Sequence, residues 1–173
     1  MAWSGESLWT NGANGPAVPA AAAAGPSQVN VDYLDNGRND NITATSVGIS
    51  WVGALQNSVS GYASQVFANN FTVDGTVSMT FTFAATVESL QAVTWEQDIA
   101  GSGGTWSLET LSGAVWTANA ATVVLGTTAA YKAFLIDAAN RANVDAFRFV
   151  GVSGTFTNAA YVRDVRAIVF ETP

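Results

Sequence analysis

From Val29 to the C-terminus the chain repeats one unit: a short run of β-branched and aromatic residues, then a turn rich in Gly, Asn and Ser. The clearest run is Val77-Ser-Met-Thr-Phe-Thr-Phe83, where apolar residues alternate with polar ones so that Val77, Met79, Phe81 and Phe83 share a face. Such alternation marks a half-buried strand, and β-branched and aromatic side chains suit a pleated surface. The pattern predicts strands at Val29–Leu34, Ser46–Leu55, Gln65–Val73, Val77–Ala84, Ala92–Gln97, Thr105–Leu111, Ala121–Leu125, Ala130–Asp137, Val144–Val152 and Ala160–Phe170. Turns at this spacing belong to a sandwich or a barrel, so an all-β, antiparallel domain is expected.

One turn can be argued in more detail. A two-residue loop at Asp74-Gly75 would set the apolar face of Phe67, Phe71 and Val73 opposite to that of the next strand, because a one-residue slip exchanges the faces. A three-residue turn with Gly75 left-handed restores agreement, and that bulged hairpin is the expectation. The segment Thr128–Ala142 is ambiguous. Its alanines and a possible Thr128 N-cap favour helix, with Tyr131, Leu135 and Ala138 on one face.

Ahead of the strands lies a different kind of chain. Asn11–Pro26 reads NGANGPAVPAAAAAGP and holds three of the four prolines. Pro19 and Gly25-Pro26 leave the five alanines room for about one helical turn, too short to be stable alone. Residues 1–28 are therefore read as an extended arm and 29–173 as the β-sandwich domain. Trp3, Leu8, Trp9, Pro16, Val18 and Pro19 are the arm's candidate interface residues, since Trp is favoured at the energetic centres of interfaces. The same two tryptophans could equally fold back onto their own domain.

The residue inventory excludes much chemistry. The chain has no His and no Cys, which removes Ser-His-Asp and Cys-His catalysis and His- or Cys-ligated metals. Six basic residues against thirteen acidic ones give a net charge of −7, the wrong sign for neutralising phosphates, and nucleic acid is not an expected partner. No run of about 18 apolar residues suggests a membrane span, and MAWSGESLW lacks the features of a secretory leader. Glu88, Glu96, Asp98 and Glu109 could in principle pair as glycosidase carboxylates, but their spacing singles out no two of them. No enzymatic activity and no cofactor are expected.

The C-terminal part carries a resemblance. Tyr131-Lys-Ala-Phe-Leu-Ile-Asp137, Asn143-Val-Asp-Ala-Phe-Arg-Phe149 and Gly154-Thr-Phe-Thr-Asn-Ala-Ala-Tyr-Val-Arg-Asp-Val165 resemble the last strands of the galactose-binding-like jelly rolls, a group with many carbohydrate-binding modules. The likeness covers about a quarter of the chain. It implies a jelly-roll β-sandwich in which 130–137 is a strand followed by a short turn over Ala138–Ala142. In that group the final strand reads roughly Tyr-Ile-Asp-Asp/Asn-Val, and its first acidic position commonly supports a structural calcium. Here Arg163 stands at that position and only Asp164 is acidic, which puts the cation in doubt.

Other candidates have two readings each. Asp32, Asp35 and Asp40 could offer hard oxygens to calcium, yet their spacing is not an EF-hand's, and Asp and Asn equally bond their own backbone in a solvated turn. No metal is expected there. Trp95, Trp106 and Trp116, interleaved with Thr, Ser and Gly, are either ordinary sandwich core or a row of sugar-stacking rings. Asn41-Ile-Thr43 and Asn70-Phe-Thr72 match the glycosylation sequon, which means little without a leader. Acidic residues gather in 1–131 (nine acids, one base) and bases in 132–173 (four acids, five bases), a polarity that can steer subunits together.

A compact β-domain with an extended arm resembles phage capsid decoration proteins. The expected function is therefore non-enzymatic assembly: a virion decoration or cement protein that stabilises a capsid lattice. Its partners would be other copies of itself, with a trimer favoured, and a capsid protein, at the virion surface. The alternative is an extracellular carbohydrate-binding module using exposed tryptophans.

Overall fold

The computed structural model describes residues 42–173 except 53–54, 60–64, 68–69, 99–101, 126–129, 158–160 and 171–173. The arm, the strand expected at Val29–Leu34, and Asp32, Asp35 and Asp40 lie outside the described residues.

The described residues form eleven strands: β1 Ile42–Val47, β2 Trp51–Val52, β3 Gln65–Phe67, β4 Phe71–Thr72, β5 Ser78–Asp98, β6 Thr105–Ser112, β7 Val115–Val124, β8 Ala130–Leu135, β9 Ala142–Ser153, β10 Thr155–Phe156 and β11 Tyr161–Phe170. Short 3₁₀ turns sit at Leu55–Val59 and Ala138–Asn140. All pairings are antiparallel, and the architecture is a jelly-roll β-sandwich.

β5 organises both layers. Its first part lies between β1 and β9, with Ala44↔Phe81 on one side and Phe81↔Phe147 on the other. Its last part lies between β11 and β8, with Glu96 facing Arg163 and Tyr131. The first layer is completed by β6 and β7 beyond β9, and the second by β3 and β2 beyond β11. The switch falls at Ala84, Ala85 and Thr86, three exposed residues where the register with β9 shifts between Thr82 and Val87. Small residues and a register break let a strand turn a corner between packed sheets.

Two expectations are corrected here. Val77–Ala84 and Ala92–Gln97 belong to one strand, which is unpaired at Ala84–Thr86 and resumes its ladder with β9 at Val87↔Val144. There is also no hairpin at Asp74-Gly75: β4 pairs with β10, as Phe71↔Phe156, and not with β5. Gly75 is outside the left-handed region. The reversal is instead a turn in which the Val77 amide donates to the Asp74 carbonyl at 3.1 Å, while the Asp74 carboxylate accepts the Thr76 amide at 2.9 Å. The Asp side chain thus shapes the turn that the glycine was expected to shape. A true two-residue hairpin joins β6 to β7, where Gly113 takes φ +60° at the first loop position, as primed turns require.

The Thr128–Ala142 ambiguity resolves as the resemblance implied, into a strand at Ala130–Leu135 and a 3₁₀ turn at Ala138–Asn140. Tyr131, Ala133 and Leu135 are exposed, whereas Phe134 packs edge-on to Trp95 at 4.8 Å and Phe149 at 5.3 Å. Period two defeats the helical pattern because β5 supplies a ladder for the whole strand. Between the layers, Phe81 stacks on Phe147 at 4.8 Å and Trp95 lies 4.5 Å from Phe149, which places aromatic packing at the centre of the core.

Candidate functional site

On the outer face of the second layer, β8, β5 and β11 carry a continuous polar network. Its origin is a bulge in β11. Arg163 faces Glu96 and Arg166 faces Thr94, so β11 holds one residue more than β5 over this stretch. Asp164 takes φ +53° there, a conformation that Asp tolerates better than most side chains. The bulge keeps Val162, Val165 and Ala167 buried while Arg163, Asp164 and Arg166 stay on the accessible side.

The three charged residues are all engaged. The Arg163 guanidinium pairs with the Glu96 carboxylate, and Arg166 Nε donates to Asp164 Oδ1 at 3.0 Å. From β8, on the far side of β5, the Tyr131 hydroxyl donates to Asp164 Oδ2 at 3.1 Å. Arg163 holds the Glu96 carboxyl below its usual range, and the bond to Asp164 raises the Tyr131 phenol. Between these groups runs an open groove of about 320 Å³ lined by Thr94, Tyr131, Lys132, Ala133, Asp164 and Arg166. Tyr131 is 66% exposed, an aromatic ring whose hydroxyl is tethered while its face stays accessible.

The same contacts bear on the calcium that the resemblance brings to mind. The Asp164 carboxylate is already taken by Tyr131 and Arg166, and a guanidinium stands one residue before it. That donor set does not fit a cation.

The tryptophans behave differently from a sugar-stacking row. Trp95 and Trp106 are both fully buried, with their indole N–H groups bonded to Gln97 Oε1 at 3.0 Å and to the Gly103 carbonyl at 2.7 Å. Neither can meet a ligand on the surface. Their alternation with Thr and Ser put them on the inner face, the usual fate of one Trp per sandwich strand. Trp116 is half-buried on the outer side of the first layer, and the Arg148 guanidinium lies 4.1 Å from its ring centroid. Glu109 fixes that arginine through contacts of 2.7 and 2.8 Å. Glu96 and Glu109 therefore sit on opposite outer faces, each bound to an arginine, and do not form a catalytic pair.

Tyr131 was not singled out among the sequence candidates. The available signal was its place in Tyr-Lys-Ala-Phe-Leu: once the segment is a strand, Phe134 as the inward residue makes Tyr131 and Leu135 outward ones.

No protein-family model and no curated protein matches the chain. Solved structures do. The family 32 carbohydrate-binding module of C. perfringens NanJ, determined with galactose, superposes with a TM-score of 0.54 at 10% identity, over 75% of this chain and 93% of that one. The likeness is one of fold. A family 29 carbohydrate-binding module mutant complexed with mannohexaose gives 0.48 at 8% identity, over 74% of this chain and 82% of that one. TmCBM61 with β-1,4-galactotriose gives 0.40 at 14%, over 79% and 97%. The neighbours are jelly-roll carbohydrate-binding modules of the galactose-binding-like kind, and the β-sandwich class expected from the sequence is the one observed.

Proposed function

We propose that the protein is a non-enzymatic glycan-binding module whose site is the groove between β8 and β11. The carrying observation is Tyr131: an exposed ring whose hydroxyl is held by Asp164, beside the Thr94 hydroxyl, the Glu96 carboxylate and the Arg166 guanidinium. Sugar rings present apolar C–H faces and a rim of hydroxyls. A fixed aromatic face serves the first, and preset donors and acceptors serve the second at little ordering cost. The carbohydrate-binding module determined with galactose, whose fold this chain shares, supports this reading. An open groove suits a weak, extended ligand rather than a deeply enclosed one.

The test is calorimetry or affinity electrophoresis against soluble galactans and mannans, with parent protein and Tyr131→Ala. Binding to at least one glycan, weakened about ten-fold or more by the substitution, is expected; tenfold corresponds to about 1.4 kcal/mol. Absence of binding across the panel, or binding indifferent to Tyr131, would overturn the reading.

A second reading, assembly on a lattice of other subunits, has one observation in its favour. Val47, Val115, Val124 and Leu135 are 64–74% exposed, so apolar area remains on the body. Co-sedimentation with capsids, lost on deleting residues 1–28, would support assembly over sugar binding.

A further inference from the structure

Of the six basic residues, Arg38 lies outside the described residues and every other arginine is committed to an internal partner. Arg141 donates through Nε to the Ile136 carbonyl and through Nη1 to Gln91 Oε1, both at 2.8 Å. Arg148 pairs with Glu109, Arg163 with Glu96 and Arg166 with Asp164. Lys132, the only lysine in the sequence, is the exception, with neither an ion pair nor a side-chain hydrogen bond among the described residues. It stands in β8 between Tyr131 and Ala133 and forms part of the groove wall.

Alternation sends the Lys132 side chain off the strand on the side of Phe134, not of Tyr131. β8 is an outermost strand of its layer among the described residues. A half-buried lysine there can lay its four-carbon stem along the apolar edge and carry the ammonium out to the groove. The acceptors opposite are already in use: Asp164 Oδ2 takes the Tyr131 hydroxyl, Oδ1 takes Arg166 Nε, and Glu96 holds Arg163. Among the lining residues, Lys132 and Arg166 against Asp164 leave an excess of one positive charge, on a chain whose net charge is −7. The uncommitted charged group is purely a donor, since an ammonium offers three N–H bonds and accepts none. A ligand made of hydroxyls alone would leave that charge without a counter-ion.

We infer that the groove selects glycans carrying an anionic substituent, a uronate carboxylate or a sulfate ester, and that Lys132 is the residue that recognises it. This rests on the glycan-binding reading above and adds the class of sugar. The Tyr131 ring takes the sugar face, and the ammonium, from the next position along β8, meets the charge at its rim. The pair is exposed to solvent, so it governs selectivity more than affinity. It is worth up to about five-fold and is screened by salt.

The test uses the full chain and three polymers: neutral galactan, polygalacturonate and a sulfated galactan. At low ionic strength the anionic polymers should bind up to about five-fold tighter than the neutral one, and added salt should shrink the advantage. Lys132→Gln should abolish the advantage and leave the affinity for neutral galactan unchanged, with the circular dichroism of the parent. Lys132→Arg should keep it, and Tyr131→Ala should weaken binding to all three. Whichever anionic polymer binds tighter identifies the substituent. Equal affinity for neutral and anionic polymers, or an advantage that survives in Lys132→Gln, would overturn the inference and leave the groove reading standing, provided Tyr131→Ala still weakens binding. A Lys132-dependent advantage that Tyr131→Ala does not touch would put the ligand outside the groove and overturn both, as would binding to none of the three.

Discussion

Tyr131 and Asp164 are joined across an intervening strand: the phenol on β8 reaches over β5 to a carboxylate on the β11 bulge, at 3.1 Å. The bond favours the protonated phenol, so the folded-state pKa lies above the usual tyrosine value. The contribution to stability is then complete below about pH 10 and is lost as pH rises through the folded value. In Asp164→Asn the phenol should ionise at lower pH than in the parent, read by ultraviolet titration of the phenolate. Glycan affinity should fall several-fold in the same variant, because the ring loses its tether.

The Arg163–Glu96 pair has the opposite sign. Arg163 depresses the Glu96 carboxyl, so its stabilisation is present above the usual value of about 4.3 and disappears as pH falls through the folded value. Glu96→Gln should lower the stability at pH 7 by no more than about 1 kcal/mol for a partly solvated pair, read as a slightly lower thermal midpoint. The difference between variant and parent should shrink as the pH of the melts falls through the folded Glu96 value.

Gln56 protects the β1 edge with two bonds to backbone groups. Gln56→Leu leaves the Ala44 amide and the Ile42 carbonyl without those partners, at a cost of about 1–3 kcal/mol. Denaturant unfolding should show the midpoint falling with the slope unchanged. Light scattering should show more association, as an unblocked edge becomes available.

Gly151 is buried under the Asp74 turn. A Cβ placed there would lie 2.4 Å from the Asp74 carbonyl oxygen and 2.6 Å from Val77 Cγ2. Gly151→Ala must push the turn away from β9, and overpacking of this kind costs about 1–3 kcal/mol. The Asp74 turn itself should suffer, visible as faster amide exchange at Val77, whose donor bond spans the turn.

Trp106 is fully buried and bonded to the Gly103 carbonyl at 2.7 Å. Trp106→Ala should destabilise by about 3–5 kcal/mol, and Trp106→Phe by less, because only the indole bond and part of the volume are lost. Chemical denaturation of both variants separates the two contributions.

Much of this architecture is local in origin and therefore readable along the chain. Alternation in Thr105–Ser112 and Ala142–Ser153 commits those residues to strands wherever they end up, because period two is a property of the backbone itself. The missing His and Cys settle which chemistries are open without any fold at all. Partner choice is another matter. Alternation shows that Trp95 and Trp106 share a face with their neighbours but not which face is covered, and only the opposing layer buries them. Val77–Ala84 and Ala92–Gln97 become one strand because β9 and β11 hold its two parts in different sheets, a pairing between residues far apart in sequence. The Asp74 turn looked like a hairpin because adjacent strands usually pair; here β4 finds β10 instead. The Tyr131–Asp164 groove exists for the same reason, since its two named residues are 33 positions apart along the chain and meet only when their strands both flank β5.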